Sequence, residues 1–384
     1  MEKEDRIYLD HQATCPLDER VFEVMCQHLR GGAANPHSSE HSFGWEASKV
    51  VLEAQERVAA LIGADADEII FTSGATEANN LALRGSDFSQ RSKLIVSTIE
   101  HKCVLEAARS LKADKAVEVA SVKVDAQGEV RLDQLEELAD ERAAVVSVIG
   151  VHNEVGTVQP LGRISEIVRA SGAALHFDMA QAPTAIDMAG VAELADTISL
   201  SAHKMYGPMG IGCLYVSRSH QSKLTPQIVG GGQQNGLRSG TVPVALAAGM
   251  GKAAEIVAAE AGERDKLRRL NAMLWTALQA LPCEVELNGP SLDVRHPGNL
   301  NVSFSGNDSR DLIGALQPLV AVSSGSACTS GTEEPSYVIR ELGHSLERAQ
   351  SAIRFSIGRF TSEQDVISAV GAIERAVRQI QLAA

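Results

Sequence analysis

Short apolar runs separated by amphipathic stretches set the fold class of this chain before any single residue does. The runs Glu68 to Thr72, Lys93 to Ser97, Ala144 to Val151, Ala173 to Phe177, Thr197 to Leu200 and Gly212 to Val216 fall in its first two-thirds. Most of the intervals between them carry helical periodicity, as in Leu132 to Leu138 and Ile164 to Ala170. Strands of this kind alternating with helices predict an α/β domain with a mostly parallel sheet covered by helices. Ligands of such sheets collect beyond the carboxyl ends of the strands, which makes the polar residues after each run the candidates for function.

A second pattern begins near Val242. Residues 242 to 281 are rich in Ala, Glu, Leu and Arg and predict long helices. A strand at Leu300 to Phe304, a helix at Asp308 to Leu316, and strands at Val320 to Ser323 and Ala352 to Ile357 follow. The closing helix is marked by Val366, Val370, Ile373, Val377 and Ile380, with Ser362 and Asp365 as its capping pair. The expected division is a large domain over 15–250 and a smaller one made of 1–14 and 251–384. The strand Ile7 to Leu9 can pair with either.

Composition narrows the function classes. A chain of 384 residues with 44% hydrophobic and 22% charged residues is built like a soluble globular enzyme, and a net charge of -14 argues against a general nucleic-acid surface. The cysteines, at 15, 26, 103, 213, 283 and 328, show no CxxC pair, so neither a disulfide framework nor a metal module is expected and a reducing compartment is favoured. The charged start Met-Glu-Lys-Glu-Asp-Arg does not read as a signal peptide, and no apolar run reaches the roughly 20 residues of a membrane span. The expected location is cytoplasmic, with no membrane partner.

Among the residues after the strands, Lys204 stands out. It ends the stretch Ser-Leu-Ser-Ala-His-Lys and is followed by a glycine-rich turn. A desolvated lysine there loses proton affinity and becomes a nucleophile suited to Schiff-base chemistry, although a salt-bridged lysine at a strand end is the commoner occurrence. Phe71-Thr-Ser-Gly-Ala-Thr-Glu reads as strand, turn and helix start, in which Gly74, Ala75 and Thr76 would cradle a phosphate. An ordinary capped helix has the same pattern. His101 follows the next strand, and Asp178 and Gln181 stand three residues apart after a later one. A phosphate cradle, a ring-stacking His, an Asp for a ring nitrogen, a Gln for a phenolic oxygen and a strand-end Lys are together what pyridoxal 5'-phosphate requires. Their order resembles the aminotransferase class V group of fold type I enzymes.

The second part bears on the reaction. Ser323-Ser-Gly-Ser-Ala-Cys328-Thr-Ser-Gly sets a cysteine among small residues, either in a mobile, exposed loop or in a buried turn where Cys stands in for Ala. With Ser-Ser-Gly-Ser-Ala-Cys-Thr-Ser, His-Lys-Met-Tyr-Gly-Pro and Arg238-Ser-Gly-Thr241, the chain resembles a cysteine desulfurase of the bacterial iron–sulfur-cluster type over nearly its whole length. The resemblance implies a large domain with a seven-stranded mostly parallel sheet and a smaller α/β domain. It also implies roles. Lys204 would hold the cofactor and shuttle a proton at the substrate Cα, Asp178 would keep the pyridine nitrogen protonated, and His101 would stack on the ring and act as acid and base. Gln181 and Asn153 would contact the cofactor oxygen and the substrate side, and Ala75, Thr76, Ser201 and His203 would hold the phosphate. Arg354 would clamp the substrate carboxylate, and Cys328 would take sulfur from L-cysteine and release alanine.

Thr241 would reach the phosphate site of a second subunit in a homodimer, and the persulfide would pass to an iron–sulfur scaffold or a thiolation partner. The chain departs from the usual pattern at Cys15, at Met209 and at Gln234-Asn235, and the sequence ends soon after its last helix. A class V transaminase, a selenocysteine lyase and a non-catalytic scaffold of the same fold are the competing readings.

Overall fold

The computed structural model describes residues 6–31, 34–114, 117–260, 262–324 and 335–383. Its strands are β1 (Ile7–Tyr8), β2 (Ile69–Thr72), β3 (Lys93–Ser97), β4 (Glu118–Val122), β5 (Ala143–Ile149), β6 (Ala174–Asp178), β7 (Thr197–Ser201), β8 (Gly212–Val216), β9 (Val285–Leu287), β10 (Asn299–Phe304), β11 (Val320–Ala321) and β12 (Ala352–Ser356).

Seven of them form one sheet in the order β2-β8-β7-β6-β5-β3-β4. Strand β8 runs antiparallel to both of its neighbours, and every other pair is parallel. Residues of β2, β3, β7 and β8 are buried throughout, because helices cover the sheet, which is why these strands read as unbroken apolar runs. Strand β4 escaped the sequence reading. It lies at the sheet edge, and of Glu118-Val-Ala-Ser-Val only Val122 is fully buried, so no apolar run marks it.

The later strands build a smaller layer. Strands β12, β10 and β9 form an antiparallel sheet, with Leu300 opposite Phe355 and Val302 opposite Leu287. Leu267, Leu274, Phe304, Phe355, Ile373 and Val377 pack a core of their own beside it. Strand β1 pairs with β11 in parallel, Ile7 against Val320, so the amino terminus joins this second part. The strand expected at Val320 to Ser323 stops at Ala321, and Ser323 instead bridges Arg354 of β12. Helices Val244–Ala259, Glu263–Leu278 and Glu363–Ala383 occupy the expected places. The last begins in the expected capping box, in which the Asp365 N–H donates to Ser362 Oγ (3.1 Å) and the Ser362 N–H to Asp365 Oδ2 (2.8 Å). Among the described residues no helix is long and apolar enough to cross a membrane.

Candidate active site

A cavity of about 530 Å³ opens beyond the carboxyl ends of the parallel strands. Residues 73–77 after β2, His101 and Cys103 after β3, Asn153 after β5, Asp178 and Gln181 at the end of β6, and Ser201, His203 and Lys204 at the end of β7 all line it. Gln12, Ala13, Ser323 and Arg354 close it from the second part. The sequence candidates Ala75, Thr76, His101, Asn153, Asp178, Gln181, Ser201, His203, Lys204 and Arg354 are thus brought together. Thr241 is not among the lining residues and lies on an exposed segment. Cys328 lies outside the described residues. A larger groove of about 1200 Å³ at the amino ends of the strands, lined by Arg91, Asp196 and His220 among others, contains none of these groups.

Lys204 ends a single 3-10 turn, Ala202–Lys204, that follows β7 directly. Its Nζ donates to the main-chain carbonyls of Gln12 (2.5 Å) and Ala13 (2.8 Å). Behind it Tyr206 adopts φ 64°, a left-handed conformation costly for a bulky residue. That conformation is held by the Arg359 N–H donating to the Tyr206 hydroxyl (2.6 Å), by the Arg359 guanidinium 4.3 Å from the ring centre, and by the Asp18 N–H on the Tyr206 carbonyl (3.0 Å).

The helix Ala75–Arg84 opens at Gly74 with no side-chain cap, so its first N–H groups are left for an anion. Glu77 braces the turn before it, accepting from the Ser73 N–H (2.7 Å) and pairing with Arg238 (2.8 Å). Gly74 has φ 155°, and a Cβ on Gly212 of β8 would lie 2.7 Å from the Gly74 Cα, so the strand passes under the turn only because residue 212 is glycine. Across the cavity His203 Nδ1 meets the Thr14 hydroxyl at 3.1 Å. Burial, with Lys204 alongside, pulls the His203 ring down to about 4, so at neutral pH it is uncharged.

Asp178, 3% exposed, accepts from Asn79 Nδ2 (2.7 Å) and from the Ala180 N–H (3.0 Å). Both donors are neutral amides, which leaves its charge to be met by a cation such as a protonated ring nitrogen. Gln181 Nε2 donates to the Gln12 carbonyl at 2.9 Å. Arg354, on β12, donates through Nη1 to the Asn153 carbonyl (2.9 Å) and through Nη2 to Asp10 (2.6 Å). Its Nε is buried with no hydrogen-bond partner among the described residues. An anion cradle, a buried carboxylate with neutral donors, a lysine at a strand end and a cavity of this volume fit pyridoxal 5'-phosphate.

Two further carboxyls flank the site. Glu100, wholly buried, accepts from the Ser97 hydroxyl (2.6 Å) and the Ile149 N–H (2.7 Å), and burial pushes it up to about 8. Glu154 is pushed up to about 7 by burial and accepts from the Ser336 hydroxyl. Tyr337 donates to the Glu100 carbonyl at 2.5 Å, so the residues at 336 and 337 are tied beside both His101 and Asn153.

The departures in sequence have local explanations. The Cys15 thiol is buried against the carbonyls of His11 and Lys204 (3.4 Å each), and burial pushes it up to about 12, so it is inert packing beneath the lysine turn. Met209 stands 71% exposed at the cavity mouth. The Gln234 side chain pairs with both the N–H (2.6 Å) and the carbonyl (2.9 Å) of Phe71, extending the edge strand β2 as another strand would. Asn79, Glu77, Asp10 and Gln12 were not singled out in sequence. Their roles depend on partners 99, 161, 344 and 287 residues away, which no local pattern encodes.

The family model for aminotransferase class-V matches residues 7–368. Cysteine desulfurase IscS of Rickettsia akari (strain Hartford) is 46% identical over 371 residues, covering 96% of this chain and 90% of that one. Among solved structures, a NifS-like protein superposes with a TM-score of 0.89 at 34% identity, covering 97% of this chain and 99% of that one. A structure described as SspA in complex with cysteine superposes with a TM-score of 0.82 at 32% identity, covering 93% and 100%. With the fold, the cavity and this identity over nearly the full length in agreement, the chain belongs to the aminotransferase class-V family, among its pyridoxal 5'-phosphate-dependent cysteine desulfurases.

Proposed function

We propose that the chain takes sulfur from L-cysteine, releases L-alanine and carries the sulfur as a persulfide on Cys328 to an acceptor protein. The observation that carries this reading is the convergence of Lys204, Asp178, the uncapped helix at Gly74 and Arg354 on one cavity. Bound pyridoxal 5'-phosphate supplies an electron sink for negative charge at the substrate Cα. Ala75, Thr76, Ser201 and His203 would hold its phosphate, and Asp178 would keep the ring nitrogen in its protonated form. Gln181 meets the phenolic oxygen. His101 and Asn153 line the same cavity, where His101 would pack against the cofactor ring and donate or accept a proton, and Asn153 would contact the substrate side. Lys204 would hold the cofactor and, as a free amine, would move a proton at the substrate Cα.

Arg354 orients cysteine by its carboxylate. Asp10 and the Asn153 carbonyl each take one N–H of its fork, and each Nη keeps a second N–H for a ligand. The Cys328 thiolate attacks the substrate sulfur, the Cβ–S bond breaks, and its electron pair is taken up with a proton as alanine forms. The class V transaminase, selenocysteine lyase and scaffold readings are not favoured by relatives that are cysteine desulfurases.

The active unit is a homodimer in which Thr241 reaches the partner subunit's phosphate site. Phe22, Leu29, Phe43 and Trp45, all 46% exposed or more on the first two helices, support a covered face there. The chain divides into a large domain over 15–250 and a small one from 1–14 and 251–384. It works in the cytoplasm, and the acceptor is an iron–sulfur scaffold or a thiolation partner. The test is Cys328→Ala, assayed with cysteine and a reductant. Loss of alanine and sulfide production with the bound cofactor's absorbance intact is expected, and full-rate production would refute the persulfide route.

A further inference from the structure

The side chains behind the cavity wall form a hydrogen-bonded chain whose direction can be read group by group. Burial lowers the proton affinity of His176, which lies 1% exposed in β6, so its ring is neutral. Its Nδ1 lies 2.9 Å from the Thr197 hydroxyl and its Nε2 lies 2.9 Å from Asn79 Oδ1. An amide oxygen can only accept, so Nε2 carries the proton and Nδ1 accepts from Thr197. The Asn79 orientation is fixed independently. Its Nδ2 donates to Asp178 Oδ2 at 2.7 Å and to Cys103 Sγ at 3.2 Å, and a flipped amide would set its oxygen against the carboxylate.

The chain reaches His101. The Cys103 main-chain N–H lies 3.2 Å from His101 Nδ1, and a main-chain N–H can only donate. Nδ1 is therefore the accepting nitrogen. The Cys103 sulfur lies 3.0 Å from the same atom, where its S–H shares that lone pair with the main-chain N–H while the sulfur accepts from Asn79. With Nδ1 accepting, the ring N–H is the one at Nε2.

We propose that Cys103 is a positioning residue whose S–H reinforces the His101 tautomer set by its own main-chain N–H, and whose sulfur joins that ring, through Asn79, to Asp178. The inference rests on the roles given above to His101 and Asp178 and deepens them. A single two-residue step, from His101 to Cys103 at the start of a helix, brings the thiol back over the ring. One buried amide then orients both groups that face the cofactor. The histidine presents Nε2–H as a donor, and the aspartate keeps both oxygens as acceptors.

The test uses Cys103→Ala and Cys103→Ser in the holoenzyme with 15N-labelled histidine, His101→Gln serving only to assign the signals. In the parent the His101 ring should carry its proton on Nε2. In Cys103→Ala the main-chain donor remains and the thiol is lost, so the share of ring protonated on Nδ1 should rise about 3- to 10-fold, the range of one neutral hydrogen bond, with kcat lowered in step and KM for cysteine little changed. Cys103→Ser, whose hydroxyl can donate to Nδ1, should restore both. Parent ring signals protonated on Nδ1, an unaltered ring and kcat in Cys103→Ala, or a serine variant that behaves like the alanine one would each overturn the proposal. The ring signals are read without turnover, so a protein that made no alanine would refute the desulfurase reading while leaving the tautomer result to stand or fall by itself.

Discussion

Glu100 offers a quantitative check on the electrostatics of the site wall. It is wholly buried, and its pKa is pushed from an ordinary 4.5 to about 8, first by burial and further by the neighbouring charge of Asp178. A carboxyl whose pKa is higher in the folded chain than in the unfolded one contributes most below pH 4.5, and that contribution is lost as pH rises toward 8. Each pH unit in that window is worth about 1.4 kcal/mol, so by pH 7 the folded protein has given up about 3 kcal/mol to keep Glu100 protonated. Glu100→Gln, neutral at every pH, removes this dependence. The amide oxygen can still accept from Ser97 and Ile149, while the NH2 group falls where Oε2 has no partner among the described residues. That loss costs about 1–3 kcal/mol but does not vary with pH. Glu154 and the buried histidines titrate alike in both proteins and cancel. Urea unfolding of the full chain, followed by circular dichroism at pH 5.5, 6.5 and 7.5, should show the variant gaining on the parent by about 1.4 kcal/mol per unit. A difference that stays constant or shrinks with rising pH would show that Glu100 is ionised in the folded protein and that the reasoning fails.

Two substitutions address the cavity directly. Lys204→Ala should abolish turnover and remove the visible absorbance of lysine-bound cofactor, and an unchanged spectrum would reject Lys204 as the attachment point. Arg354→Lys keeps the charge but loses the planar fork shared among Asp10, Asn153 and substrate, so kcat/KM for cysteine should drop by about 10- to 100-fold while cofactor absorbance persists. A loss confined to cofactor binding would move Arg354 out of the substrate site.

The parts that sequence made legible are those governed by local physics. Strands β3 and β8 match their apolar runs residue for residue, because burial on both faces leaves no polar alternation to blur the ends. Polar residues immediately after β6 and β7 were readable as site candidates because strand direction fixes where they emerge. Edge elements were not readable. Strand β4 carries exposed polar positions, and β9 is three half-buried residues whose strand character comes only from pairing with β10. The supporting network was equally hidden. Asn79 sits in an ordinary helical sequence, and its two acceptors, Asp178 and Cys103, come from different strand ends.

The amino-terminal segment shows why such support escapes a sequence reading while still holding the site together. After β1 docks on β11, Asp10 bridges Ser356, and the chain passes across the cavity mouth. Over residues 10–14 it gives a carboxylate to Arg354, main-chain carbonyls to Lys204 and Gln181, and a hydroxyl to His203. The contacts of residues 12 and 13 with Lys204 are made by the main chain, so almost any side chain there would leave them intact and nothing in Gln-Ala announces them. Asp10 and Thr14 act on the site through their side chains, while the side chains of His11 and Gln12 anchor the segment on Ser356 and Asn299. A segment without periodicity therefore couples the strand carrying Arg354 to the turn carrying Lys204. The substrate clamp and the cofactor lysine share one covalent support, and a distortion of residues 10–14 would reach both.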